Sequence, residues 1–342
     1  MGRQVLKASQ RAAMTPARVL QGLLLAIAIA VLAGACTPAE RPALRVASHV
    51  WPGYELMFMA RHEGWLDSKA VELVATGSAT ESMQLLASGE VDGAALTFDE
   101  VLRLQAKGTD LAVVLIFNIS SGADMLIGKA GVDSLAALDG KRIGVEDSAL
   151  GALMLHKALQ AAELPHGAIT AVPMTIDAQH GAWHDGSIDA VVTYEPLAST
   201  LLVAGGELLF DSSQIPDTIY DVLAIRPAAL QRRTGRAALR ALLGAHFRAL
   251  DHLRSNPADA GYRLAIRLGG DGPTALRTFR GLHLPDVHTN HRLLAHGAPR
   301  LHAVAAELLA VKREIGAIAT SAAPVPQISA EYLPPPNGQR TR

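Results

Sequence analysis

The sequence predicts an α/β protein built as two lobes, and three observations predict it. Short apolar runs alternate with amphipathic segments, the βαβ rhythm of a parallel sheet covered on both faces. The rhythm stops near residue 128 and restarts at "KRIGVE". About 300 residues follow an N-terminal leader, more than one ordinary core holds.

The elements follow in order. "LRVAS" precedes the helix "YELMFMARHEGWL", "VELVAT" precedes "ATESMQLLASG", "DGAALT" precedes "FDEVLRLQAKG", and "LAVVLIFN" closes the first unit. Ser78-x-x-Glu81 and Thr97-x-x-Glu100 have the form of capping boxes, in which hydroxyl and carboxylate each accept the other residue's backbone N–H. Gly64, Gly89 and Gly108 stand where these helices should stop. In the second unit "KRIGVE" leads to "ALGALMLHKALQAAE", "ITAVPM" to "DAQHGAWHDG" and "DAVVTY" to "PLASTLLVAGG". "ELLFD" and "DVLAIRP" are strands heading back. Strands near 120–128 and 207–225 connect the lobes. From about residue 228 the pattern is helical, broken at Asn256-Pro257, Gly269-Gly270 and Leu284-Pro285. The Pro-rich residues 321–342 read as a flexible tail.

Residues 1–35 carry Arg3, Lys7, Arg11 and Arg18, no acidic residue, and then "LLLAIAIAVLA", which is short for a membrane span. This is a signal peptide. Ala33-Gly34-Ala35 fits an ordinary A-x-A cleavage site. The same residues before Cys36 look like a bacterial lipobox, with Ala33 where leucine is usual. Cys36 is the only cysteine, so no internal disulfide is possible, and acylation gives the thiol a role. Residues 36–43 then form a lipidated tether that holds a folded body, starting near Leu44, at a membrane surface.

The leader takes four of the 31 basic residues and none of the 32 acidic ones, which leaves a net charge of −5 and argues against nucleic acid. Phosphate-loop, dinucleotide, H-E-x-x-H and G-x-S-x-G signatures are missing, so no cofactor is expected. His180 and His184 lie four apart on a helix, but no third ligand is fixed, and the 13 histidines read as surface residues rather than a metal site.

"WPGYELMFMARHEGWL", "GSATESMQLLASGEVDGAALTFDEVL", "LDGKRIGVEDSALGALML" and "GSIDAVVTYEPLAS" resemble the nitrate/sulfonate/taurine class of periplasmic substrate-binding proteins. The resemblance spans residues 44–230 and continues more loosely through "LRALLGAHFRALDHLRSNP". It implies a type II-like clamshell: lobe 1 from 44–122 plus 212–320, lobe 2 from 125–210, closing about hinge strands on a small solute. It implies a monomer without enzymatic activity, delivering its solute to an ABC permease and ATPase. An enzyme on the same fold and a sensor lipoprotein acting on a membrane receptor are the rivals. The ligands that the resemblance implies are nitrate, sulfonate, taurine, bicarbonate or a pyrimidine precursor.

In such folds ligands sit outside the carboxyl ends of the strands. The candidates there are Trp51, Tyr54, Ser78, Thr97, Asn118, Ser121, Asp124, Glu146, Thr193 and Glu195. Trp51 either walls the cleft or plugs the core, and Pro52 and Gly53 shape its loop. Free N–H groups at helix starts suit oxygen-rich ligands. Yet Glu55, Asp99, Asp124, Glu146 and Glu195 gather at these loops with His49 as the only cation beside them. Several carboxylates facing a desolvated anion would be costly. The charges therefore favour an amine, amidine or protonated ring nitrogen stacked on Trp51. Glu55, Asp99 and Glu100 are assigned to helix starts. Glu195, before Pro196, suits either a cap or the site.

Overall fold

The computed structural model describes residues 44–295, 297–314, 316 and 324–336. The signal peptide, Cys36 and the tether lie outside the described residues.

Strands β1 (Leu44–Ser48), β2 (Val71–Ala75), β3 (Gly93–Thr97) and β4 (Ala112–Ser120) alternate with helices α1 (Glu55–His62), α2 (Ala79–Ser88) and α3 (Phe98–Ala106). The chain crosses at Ser121–Ala123 into a second lobe. There β5 (Asp124–Gly128), β6 (Arg142–Val145), β7 (Thr170–Pro173), β8 (Ala190–Tyr194) and β9 (Glu207–Asp211) carry α4 (Ala149–Ala161), α5 (Ile176–Asp185) and α6 (Leu197–Val203). It returns through β10 (Tyr220–Ile225) to α7 (Pro227–Gln231), α8 (Arg233–Ser255), α9 (Pro257–Leu268) and α10 (Gly272–Arg277). The last elements are β11 (Leu282–His283), α11 (Val287–Leu293), α12 (Pro299–Glu314) and β12 (Gln327–Ile328).

Lobe 1 holds the sheet β11-β4-β10-β3-β1-β2, with β12 also on β4; lobe 2 holds β7-β6-β8-β5-β9. Strands β1, β2 and β3 are parallel, as are β6, β7 and β8. The returning β10 is antiparallel and separates β3 from β4. All six of its residues are buried. A run that is buried on both faces is stable only as an inner strand.

This insertion positions the site. An antiparallel strand brings its first residues, not its last, to the edge where parallel strands end. Asp221, second in β10, thus pairs with Thr97 at the end of β3 and with Asn118 on β4. Asp124, first in β5, pairs in the same way with Tyr194 at the end of β8.

Local signals hold the helices that flank this edge. The Thr97 hydroxyl accepts from the Glu100 N–H at 3.2 Å, and the Glu100 carboxylate accepts from the Thr97 N–H at 2.9 Å, which completes a capping box. Ser78 caps α2 through the Glu81 N–H, but the Glu81 carboxylate accepts from Gly77 instead of Ser78. Gly89 ends α2 at φ 81°, a backbone region that suits a residue without Cβ.

The Pro-rich end departs from the expected loose tail. Gln327 and Ile328 pair with Ala112 and Val113, and Tyr332 and Leu333 are buried. β11 covers β4 only at Ile119 and Ser120, so the first half of that strand offers free backbone groups to this segment. Among the described residues no helix is long and apolar enough to cross a membrane.

Candidate functional site

The loop "HVWPGYE" leaves β1 and starts α1 at the edge where the two lobes meet. Trp51 is only 3% exposed, and its indole N–H donates to the Asn118 Oδ1 at 2.9 Å. The Asn118 amide donates to one oxygen of Asp221 at 2.6 Å, and the Tyr54 hydroxyl donates to the other at 2.5 Å. Gly53 makes this chain of bonds possible. A Cβ there would sit 2.0 Å from the Asn118 Oδ1, so the glycine serves close approach more than loop shape.

Around this network lies a small cavity of about 10 Å³. Lobe 1 supplies His49, Trp51, Tyr54, Thr97, Glu100 and Asp221; lobe 2 supplies Asp124, Leu150 and Tyr194. The ring of Tyr194 meets Trp51 edge-on at 5.6 Å and His49 at 5.9 Å, while His49 meets Tyr54 at 5.3 Å. An aromatic box is thereby completed across the lobe boundary. The space holds about one water-sized group.

The electrostatics are one-sided. Burial pushes Glu100 up to about 8, aided by the nearby Glu146 carboxylate. Burial likewise raises Asp124 to about 7, and it holds Asp221 well above the ordinary carboxylate range, with the Asp124 charge adding to the effect. His49 is driven down to about 4, first by burial and then by the charge of Arg267, and so stays neutral. Among the described residues no cation lines the cavity. Both Asp124, 2% exposed, and His49, 5% exposed, present buried atoms (Oδ2 and Nδ1) that lack a hydrogen-bond partner among the described residues. An unpaired carboxyl oxygen and raised carboxyl groups inside an aromatic box are the complement of a small cation.

A second set of contacts spans the lobes beside the box. The Glu146 Oε1 accepts from the Thr80 N–H and hydroxyl, each at 3.3 Å, at the start of α2. Its other oxygen accepts from the Tyr194 hydroxyl at 3.3 Å. Arg103 of α3 donates to the Asp147 carbonyl and carboxylate at 3.0 and 3.1 Å.

Of the ten candidates, Trp51, Tyr54, Thr97 and Asp124 line the cavity, Asn118 braces it, and Glu146 reaches it through Tyr194. The Ser78 hydroxyl is engaged in capping α2. The Glu195 carboxylate accepts from the Ser199 N–H and hydroxyl at 3.1 and 2.7 Å, so it is engaged by the first turn of α6 and does not line the cavity. Thr193 is buried in β8, and Ser121 is held by its N–H on the Gly281 carbonyl; neither lines the cavity. Glu55 and Asp99 stand in the first turns of α1 and α3, as assigned, and each also has a distant cationic partner. Asp99 pairs with the buried Lys312 of α12 at 2.7 Å, and Glu55 with Arg267 of α9 at 2.6 Å.

Sequence reasoning missed Asp221 and Arg267. Asp221 lies at the start of an antiparallel strand, whereas the candidates all follow from the carboxyl ends of parallel ones. Arg267 comes from the helical block, more than 200 residues from its partner Glu55. An acidic residue heading the apolar run "DVLAI" was the available signal for the first; nothing in the pattern marked the second.

A family model described as NMT1/THI5 like matches residues 51–260. A comparison with curated proteins finds no match. Among solved structures, the aliphatic sulphonate-binding protein SsuA of Escherichia coli is 18% identical with a TM-score of 0.62, covering 84% of this chain and 94% of its own. The alkanesulfonate-binding SsuA of Xanthomonas axonopodis, bound to MOPS, is 19% identical with a TM-score of 0.60, covering 78% and 94%. The desulfurization enzyme DszB is 17% identical with a TM-score of 0.59, covering 84% and 97%.

Proposed function

This chain belongs to the NMT1/THI5-like family, and we propose that it is the solute-binding component of an ATP-driven importer that closes on a small cationic solute. Relatives of the fold include periplasmic sulfonate binders, which supports the binding role and its place outside the cytoplasm. The single observation behind a cationic solute is the aromatic box lined by Glu100, Asp124 and Asp221, with neither lysine nor arginine among the described lining residues. An amine, amidine or protonated ring nitrogen would ionise Asp124 and face the rings of Trp51 and Tyr194. Alkanesulfonates, named for the SsuA proteins, would meet three carboxyl groups there.

A binding role agrees with the lining better than catalysis does. Among the described residues the lining includes no cysteine, serine or lysine, and its one hydroxyl on a short side chain, that of Thr97, accepts the Glu100 N–H. The leader and the lone thiol support acylation of Cys36 and residence at a membrane surface. Intact mass of the exported protein would show the acyl chains or their absence. The ligand reading is tested by a thermal-shift screen of amines, amidines, aminopyrimidines and alkanesulfonates, because binding raises stability with ln(1 + [L]/Kd). Cations should raise the melting temperature, and Asp124→Asn should weaken them about tenfold to a hundredfold, the loss of a charge-assisted hydrogen bond. A shift with sulfonates alone contradicts the reading.

A further inference from the structure

We infer that the solute is an apolar primary amine without an acid group. Its ammonium head fills the inner cavity, and its hydrocarbon body lies on the wall of a second, larger cavity between the lobes. This rests on the cationic reading above and deepens it.

The inner cavity sets the head. It has room for about one water-sized group, which admits an ammonium but not a trimethylammonium or a ring, so the rest of any ligand must extend elsewhere. An ammonium brings three N–H donors, and the buried Asp124 Oδ2 has no hydrogen-bond partner among the described residues. Tyr194 lines both this cavity and a far larger one of about 880 Å³, a size within the usual range for small-molecule sites. Val50, which stands between His49 and Trp51 in the chain, lines the larger one too, so its wall continues from the loop that walls the inner one.

The larger cavity sets the body. Val50 and Leu268 of lobe 1 and Ile176, Leu197, Leu202 and Val203 of lobe 2 give it an apolar wall. Val203 is 90% exposed, an apolar side chain left in water on the side of a groove. The polar side chains around this wall are engaged locally or stand in water. The Ser199 hydroxyl donates to Glu195 at 2.7 Å, that of Thr200 to the Pro196 carbonyl at 3.4 Å and that of Thr278 to the Ala275 carbonyl at 2.7 Å. The Thr274 hydroxyl donates to Asp271 and accepts from Arg277 at 2.7 Å. Arg267 is turned onto Glu55 at 2.6 Å and lies 3.7 Å over the Phe58 ring. Asp177, His180 and Arg277 are exposed, so water solvates them. A polar tail would have to compete with these contacts, whereas a hydrocarbon body gains by displacing water from the apolar wall.

Calorimetry with the n-alkylamines from methylamine to hexylamine tests this, with hexanesulfonate as the anion alone. Each added methylene should tighten binding about two- to fourfold. Hexyltrimethylammonium has a head too large for the inner cavity, and 6-aminohexanoate would bring a carboxylate to the apolar wall; each should bind about tenfold weaker than hexylamine, or worse. Val203→Ser, a surface change that leaves the core untouched, should weaken hexylamine about twofold. Three results overturn the inference and leave the cationic reading standing: no gain with chain length, an equal affinity for either modified amine, or a hexylamine affinity that Val203→Ser does not alter. Binding of hexanesulfonate with none of the amines overturns both.

Discussion

Asn118 is the residue on which the site's order depends, since one amide joins Trp51 to Asp221 and thereby to Tyr54. Removing it leaves a buried indole N–H and a buried carboxyl oxygen without that partner. Asn118→Ala should therefore cost about 1–3 kcal/mol in urea denaturation. Gly53→Ala should cost a similar amount of about 1–3 kcal/mol by displacing the same amide, although alanine stabilises most loops that tolerate it. A neutral or stabilising Gly53→Ala would mean that the amide is not needed. Trp51, Tyr54 and Thr97 were legible from sequence because parallel strands end where ligands sit. Glu195 was ambiguous for a physical reason: a carboxylate before a helix start serves the macrodipole or a ligand equally well, and only the 2.7 Å contact with Ser199 separates the two.

Among the elements, α2 and the loop after β6 decide how firmly the lobes stay shut. Glu146 caps the start of α2 from the other lobe and also holds the Tyr194 hydroxyl, so its three contacts tie the box to closure. The Arg103–Asp147 pair lies further out, with the Asp147 side chain 74% exposed. Exposed pairs contribute about 0–1 kcal/mol, so Arg103→Ala should speed ligand release by less than about fivefold. Glu146→Ala should speed it by about tenfold or more, as expected for lost hydrogen bonds to a charged group. Stopped-flow release rates check this ranking, and a larger effect from Arg103→Ala would place the latch in the wrong pair. The βαβ rhythm revealed β1 to β4 and β6 to β8, but not the neighbours of β10, because apolar content tells that a strand is central without telling which strands it separates. The pairing of Gln327 and Ile328 on β4 was hidden for a related reason: Pro-rich composition gives no signal for a two-residue edge strand.

For the whole molecule, the buried carboxyl groups make stability and binding opposite functions of pH. Glu55 and Asp124 are raised to about 7 and Glu100 to about 8, all three primarily by burial. The folded state then holds protons that the unfolded chain has released, so stability falls as pH rises through this range. His49 and His246, lowered to about 4 and about 3 by burial, act in the opposite sense, but only below their ordinary value of 6.5. Between about pH 6.5 and 8 the carboxyl groups act alone, and the melting temperature of the free protein should decline. A rise over that window would mean these groups are ionised without penalty. Their central consequence is that a cation entering the box must expel protons. Calorimetry at pH 6.5, with whichever cation gives the largest thermal shift, in two buffers of different ionisation enthalpy, counts them. About three-quarters of a proton to one proton released per ligand bound is expected from whichever of Asp124 and Glu100 pairs with the cation; no release, or uptake of protons on binding, would contradict a cationic ligand held by buried carboxyl groups.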